Sequence, residues 1–152
     1  MRRKDREITD IEEIRDIIEK CKVCRLAMQD EEGLYLVPLN FGYEFEEESL
    51  ALYFHSAKEG RKLRAIQKNL KVCFEMDCEH ALIEANTPCA YGYEYACVMG
   101  NGKATIFEHT EEKRLALSKL MWHQTGKEFE ISEQMADSVA AVSYTHLTLP
   151  TN

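Results

Sequence analysis

The amino-acid sequence predicts a mainly β domain, an antiparallel β-barrel with flanking helices. Three observations support that class. Several segments alternate apolar and polar residues with the two-residue period of a half-buried strand. Only three segments carry helical spacing. The two kinds do not alternate as strand–helix–strand units, which disfavours a doubly wound parallel sheet and favours an antiparallel barrel.

The first helix is predicted over residues 10–20. Thr9 and Glu12 have capping-box spacing, and Ile11, Ile14, Ile17 and Ile18 make one apolar face. Strands are predicted at 23–29 and 34–41, joined by Asp30, Glu31, Glu32 and Gly33 as a hairpin turn. Residues 42–49 read as an acidic connection, and residues 50–55 as the next strand. In 71–77, Val72, Phe74 and Met76 alternate with Lys71, Cys73 and Glu75. Residues 78–91 show no clear period and contain a breaker, Asn86-Thr87-Pro88. Residues 93–107 are strand-like, with a bulge or bend expected at Gly100, Asn101 and Gly102. A helix is predicted over 110–125, with Thr110 as cap, Glu111 and Glu112 in the first turn, and Gly126 just beyond its end. Residues 139–142 begin a last strand.

Chemistry concentrates between residues 50 and 72. Leu50, Leu52 and Phe54 alternate with Ala51, Tyr53 and His55, then Leu63, Ile66 and Leu70 take helical spacing. Ser56 and Glu59 fit a capping box, which makes Ser56 the expected N-cap. The unpaired N–H groups of a helix start favour an anion. Gly60 permits close backbone approach, and Arg61 and Lys62 add full positive charges. The segment therefore has the makings of a phosphate cradle. An ordinary capped helix with solvated cations accounts for the same pattern.

At 152 residues a single domain is expected. A net charge of −8 argues against nucleic acid and against an anionic membrane surface. No apolar run reaches membrane-spanning length, and the basic N-terminus lacks the apolar core of a signal peptide, so a cytoplasmic location is expected. The six cysteines are then expected as reduced thiols. Cys21 and Cys24, with Cys78 and His80, could be read as a zinc set, but the second pair lacks ligand spacing. No metal site is expected; small buried thiols account for them.

Familiar catalytic motifs are absent. Gly100-Asn101-Gly102 lacks the third glycine of a dinucleotide fingerprint, and Gly102-Lys103 is followed by Ala104 rather than the Ser or Thr of a P-loop. No embedded nucleophile motif occurs.

An ordered series of motifs does carry a resemblance. It runs Arg6-Glu7-Ile8-Thr9-Asp10, Arg25-Leu26-Ala27, Val37-Pro38-Leu39-Asn40-Phe41-Gly42-Tyr43, Tyr53-Phe54-His55-Ser56-Ala57 with Gly60 and Lys62, and Val72-Cys73-Phe74-Glu75. Tyr95, Val98, Gly100, Gly102, Lys103 and Ala104 follow, then Thr125-Gly126-Lys127. Over about residues 2–142 this resembles the pyridoxamine 5′-phosphate oxidase-related family, in its nitroimidazole-reductase-like branch. The resemblance implies a split β-barrel of antiparallel Greek-key type, and a homodimer binding FMN at its interface. It implies the FMN phosphate at Ser56, Ala57, Gly60, Arg61 and Lys62, and the ring beside Val37, Pro38, Leu39 and Asn40. It implies an active-site role for His55. Cys97 stands where relatives often have serine near the cofactor. Trp122 and His123 are weighed as contacts from the second copy, against packing for Trp122 and a helix-end charge partner for His123.

The activity implied is an FMN-dependent oxidoreductase passing hydride or electrons to a small organic acceptor, such as a nitro-aromatic or quinone-like molecule. Pyridoxamine-phosphate oxidation itself is disfavoured, because the Arg-bearing C-terminal segment of that enzyme is not in this chain. A non-catalytic module, holding flavin or haem or sensing metal through thiols, stands as the alternative. Residues 1–142 are taken as one domain. Residues 143–152 resemble translated sequencing-adapter sequence, and are expected to be a non-native tail that breaks the final strand.

Overall fold

A computed structural model of the chain describes residues 4–46 and 49–146. Strands β1 (Val23–Asp30), β2 (Gly33–Asn40), β3 (Gly42–Glu46), β4 (Ser49–Ser56), β5 (Lys71–Ile83), β6 (Gly92–Ile106) and β7 (Ala140–His146) form one sheet in the order β2-β1-β5-β6-β7-β4-β3. Every neighbouring pair is antiparallel. The edge strands β2 and β3 do not pair with each other, so the sheet is not closed, an arrangement consistent with a split barrel. Helices α1 (Ile11–Lys20), α2 (Arg61–Lys68), α3 (Thr110–Thr125) and α4 (Glu133–Asp137) flank it.

Amphipathic pattern decides which faces meet. Ile14, Ile17 and Ile18 of α1 and Leu63, Ala65 and Ile66 of α2 are buried. They pack with Leu26, Phe54, Phe74 and Met76 of the sheet in one apolar cluster. Fully burying a side chain such as Ile18 or Phe74 contributes roughly 1.5–3 kcal/mol relative to leaving it exposed. Asp10, rather than Thr9, caps α1, its carboxylate accepting from the Glu12 N–H at 2.8 Å.

Several expectations are corrected. The predicted acidic connection contains β3, and only residues 47–48 of it lie outside the described residues. Glu44 belongs in this strand because Tyr53 Oη donates to it at 2.5 Å and Lys119 Nζ lies 2.6 Å away. No bulge falls at Gly100–Gly102, where β6 pairs with β5 in continuous register. Gly102 has a packing reason instead. A Cβ there would lie 2.6 Å from the Thr145 carbonyl oxygen and 2.7 Å from the Tyr144 ring. The irregularity falls in β5, between Cys78 and Ala81, where Glu79 takes φ 58°. Its carboxylate pairs with Lys20 at 2.5 Å.

The last strand does not break after residue 142. β7 continues through Ser143, Tyr144, Thr145 and His146 against β4. Tyr144 is fully buried and meets Phe74 edge-on at 5.1 Å. Of the segment set aside as a tail, residues 143–146 therefore belong to the sheet, and residues 147–152 lie outside the described residues. The short α4, capped by Ser132 onto the Met135 N–H at 3.2 Å, was not anticipated.

Candidate functional site

β4 buries Leu50, Leu52 and Phe54 and leaves His55 exposed at its end. The chain then turns into α2, which begins at Arg61 with Gly60 as N-cap. This corrects the capping box predicted at Ser56 and Glu59. Ser56 Oγ donates to the Ala57 carbonyl at 3.0 Å and does not cap the helix. Gly60 takes φ 144°, ψ 168°, and a Cβ there would meet nothing within 4 Å. The glycine is needed for backbone conformation and not for space. Leu70, expected on the helix, lies beyond its end and is exposed.

The two adjacent cations have different surroundings. Arg61 grips Asp30 with Nε at 2.7 Å and Nη2 at 2.9 Å, and lies 4.6 Å over the Tyr35 ring. Glu32 adds a carboxylate at 3.6 Å. Hydrogen bonding from Arg61 holds the Asp30 carboxyl below its usual pKa. Arg61 is thus committed to the β1–β2 turn. Lys62 is half-buried, and its ammonium has no hydrogen bond or ion pair with another described residue. Loss of solvent pushes its pKa down. His55 is pushed down too, by desolvation first and then by the Lys62 charge, so it is neutral at pH 7.

β2 is an edge strand, so Pro38 costs no second ladder. Pro38 and Asn40 are exposed, while Val37 and Leu39 lean on the core. Asn40 Nδ2 donates to the Lys22 carbonyl and to Gln124 Oε1, both at 3.2 Å. Two relations bring the candidate residues together. Gly42 pairs with Tyr53, which places Asn40 and His55 at the same end of the β3–β4 pair. Arg61 lies over Tyr35, which places the start of α2 beside the start of β2. The stretch 37–40 therefore runs away from the Gly60–Lys62 corner along one strand.

Cys97 and Trp122 lie apart from that corner. Cys97 Sγ donates to Glu75 Oε1 at 3.5 Å, and burial with the Glu75 charge pushes its thiol up to about 12. It lines a 480 Å³ pocket with Tyr93 and Tyr95. Trp122 is exposed on α3 beside Lys119 and Phe129, in a pocket of about 410 Å³. His123, read from sequence as a helix-end partner or flavin contact, is buried. Its Nε2 is 2.8 Å from the Cys21 carbonyl, and its ring packs on Phe41 and Tyr43. The partners of Arg61 and Asn40 were missed, because Asp30, Tyr35, Lys22 and Gln124 are distant in sequence and no local pattern marks them. All six cysteines are free thiols, and no metal-holding group of three or more His, Cys, Asp or Glu occurs among the described residues. No helix among the described residues is long and apolar enough to cross a membrane.

The open antiparallel sheet with flanking helices is shared with known proteins. The family model described as pyridoxamine 5′-phosphate oxidase matches residues 10–151. The chain belongs to this family. It is 34% identical to a candidate 5-nitroimidazole antibiotic resistance protein from Bacteroides thetaiotaomicron, over 91% of this chain and 80% of that one, with a TM-score of 0.76. It shares its fold with an FAD- and haem-binding protein from Mycobacterium smegmatis, at 14% identity, 93% and 73% coverage and a TM-score of 0.73. The same holds for a NimC/NimA family protein from Clostridium acetobutylicum, at 18% identity, 88% and 80% coverage and a TM-score of 0.54. Comparison with curated proteins returns no match.

Proposed function

We propose that the protein is a cytoplasmic FMN-binding flavoprotein and an FMN-dependent oxidoreductase acting on a small organic acceptor, assembled as a homodimer with FMN at the interface. Lys62 carries the reading. A half-buried ammonium with no partner among the described residues, next to a glycine that exposes backbone N–H groups, suits a phosphate in place of a carboxylate. Membership of the pyridoxamine 5′-phosphate oxidase family and the flavin bound by the Mycobacterium smegmatis relative support the same group.

In this reading Lys62 holds the phosphate, with Ser56, Ala57 and Gly60 forming the turn around it. Arg61 braces the turn through Asp30 and adds only long-range charge. Val37, Pro38, Leu39 and Asn40 line the path of the ring. Bound FMN supplies hydride or single-electron transfer. His55, neutral at pH 7, hydrogen-bonds the acceptor through its ring N–H, and passes it a proton only from the minority imidazolium form. Cys97 and Trp122, which line two other pockets, reach the cofactor from the second copy. Likeness to a 5-nitroimidazole antibiotic resistance protein favours a nitro-aromatic acceptor, with a quinone-like molecule as the alternative.

The test is flavin retention after incubation with FMN and gel filtration. Wild-type protein should emerge with stoichiometric flavin, and Lys62→Gln should lose most of it while keeping its circular dichroism spectrum. Equal retention by both would move the phosphate elsewhere.

A further inference from the structure

A groove of about 800 Å³ is lined by residues of β1, β5 and β6 among others, and no residue assigned to FMN is among its described lining residues. It originates in the strand ladder. β1 and β5 pair only through Arg25–Glu75, Leu26–Phe74 and Ala27–Cys73. Beyond Ala27 their pairing stops, leaving Gln29 on one bank and Lys71 and Asn69 on the other. Ala27 and Cys73 are cross-strand partners and make a small-residue floor that can accept a flat apolar body, with Asn101 opposite Cys73.

The rim is cationic. Lys71 and Lys103 are direct cross-strand partners, so their side chains leave the same face. Neither ammonium has a hydrogen bond or ion pair with another described residue. Like charges placed opposite each other destabilise a strand pair. In a chain of net charge −8, carboxylates are abundant, yet none relieves this pair among the described residues. Asn69 Oδ1 accepts from the Lys71 N–H at 3.1 Å, which leaves its amide donors for other partners. Thr105 and Thr145 complete the lining with hydroxyls.

We propose that this groove binds an aromatic organic anion, its ring on Ala27 and Cys73 and its phosphate or carboxylate head between Lys71 and Lys103. The volume suits a small organic molecule. Two ammoniums suit an anionic head, with Asn69 and the threonines as neutral hydrogen-bonding partners.

Isothermal titration with α-naphthyl phosphate tests it. Saturable binding is expected, weakened about tenfold or more in Lys71→Gln/Lys103→Gln. The neutral α-naphthol should not distinguish wild type from that variant. Binding of α-naphthoate tighter than the phosphate would identify a carboxylate head, and the reverse order a phosphate head. Lys62→Gln should leave the titration unchanged, so failure of the flavin reading and failure of this one are separable. Three results overturn the proposal. One is equal affinity in the double variant. The second is loss of binding in Lys62→Gln, which would place the probe at the flavin corner. The third is no binding by natively folded wild type, including the case where a second copy covers the groove.

Discussion

Arg61 and Lys62 are neighbours in sequence with opposite commitments. Arg61 closes a bidentate pair with Asp30, while Lys62 loses solvent and gains no carboxylate among the described residues. Arg61→Ala should therefore lower the melting temperature more than it weakens FMN binding, and Lys62→Ala should do the reverse. A charge-assisted phosphate contact contributes about 1.5–3 kcal/mol, or roughly tenfold or more in affinity. Fluorescence titration beside thermal melts of both variants checks the split. His55→Asn should lower turnover of a nitro-aromatic acceptor more than it changes FMN affinity, which steady-state kinetics and flavin titration resolve. His123 gives a pH prediction. Burial holds its pKa below the ordinary 6.5, so the unfolded chain takes up a proton before the folded one does. Its contribution to stability is present above pH 6.5 and is lost as pH falls through that value toward the folded pKa. Urea midpoints measured above and below pH 6.5 should fall on acidification in wild type, and fall less in His123→Phe.

At the scale of elements, β4, its turn and α2 were legible because local pattern governs them. Leu50, Leu52 and Phe54 alternate, and Leu63 and Ile66 fall on one helical face. The start of α2 was not legible, because Ser56 and Glu59 match a cap that the chain does not use. Gly60, taking φ 144°, sets the boundary instead. Gly60→Ala should cost roughly 1–3 kcal/mol of stability, the usual strain for a side chain in that backbone region. Equilibrium denaturation measures it, and an unchanged midpoint would show that the turn relaxes freely. β3 was hidden for another reason. Its glutamates read as loop, but Glu44 is satisfied by Tyr53 and Lys119, partners that only the folded chain supplies. Gly102 likewise looked like a bulge until Tyr144 and the Thr145 carbonyl were seen packed against it. Local pattern marks elements; long-range partners decide whether an acidic or glycine-bearing stretch joins a sheet.

At the scale of the whole molecule, the described candidate residues are spread over several elements, though Asn40 reaches α3 through Gln124 at 3.2 Å. The Gly60–Lys62 corner and residues 37–40 follow β2, while Cys97 and Trp122 line two other pockets. This arrangement fits a site completed by a second copy, and a dimer would also cover an exposed apolar position such as Leu36 on the edge strand. Light scattering should accordingly report a dimer when flavin is bound. The different surroundings of the two cations at the corner were not legible in the sequence, because they depend on Asp30 and Tyr35 from another hairpin.

The central claim is that Lys62 holds the phosphate of FMN. It is tested most directly by comparing FMN with riboflavin, which lacks the phosphate, on wild type and on Lys62→Gln. The account predicts that wild type prefers FMN by about tenfold or more, and that Lys62→Gln loses most of that preference while its riboflavin affinity is unchanged. An equal preference for FMN in both proteins would contradict it.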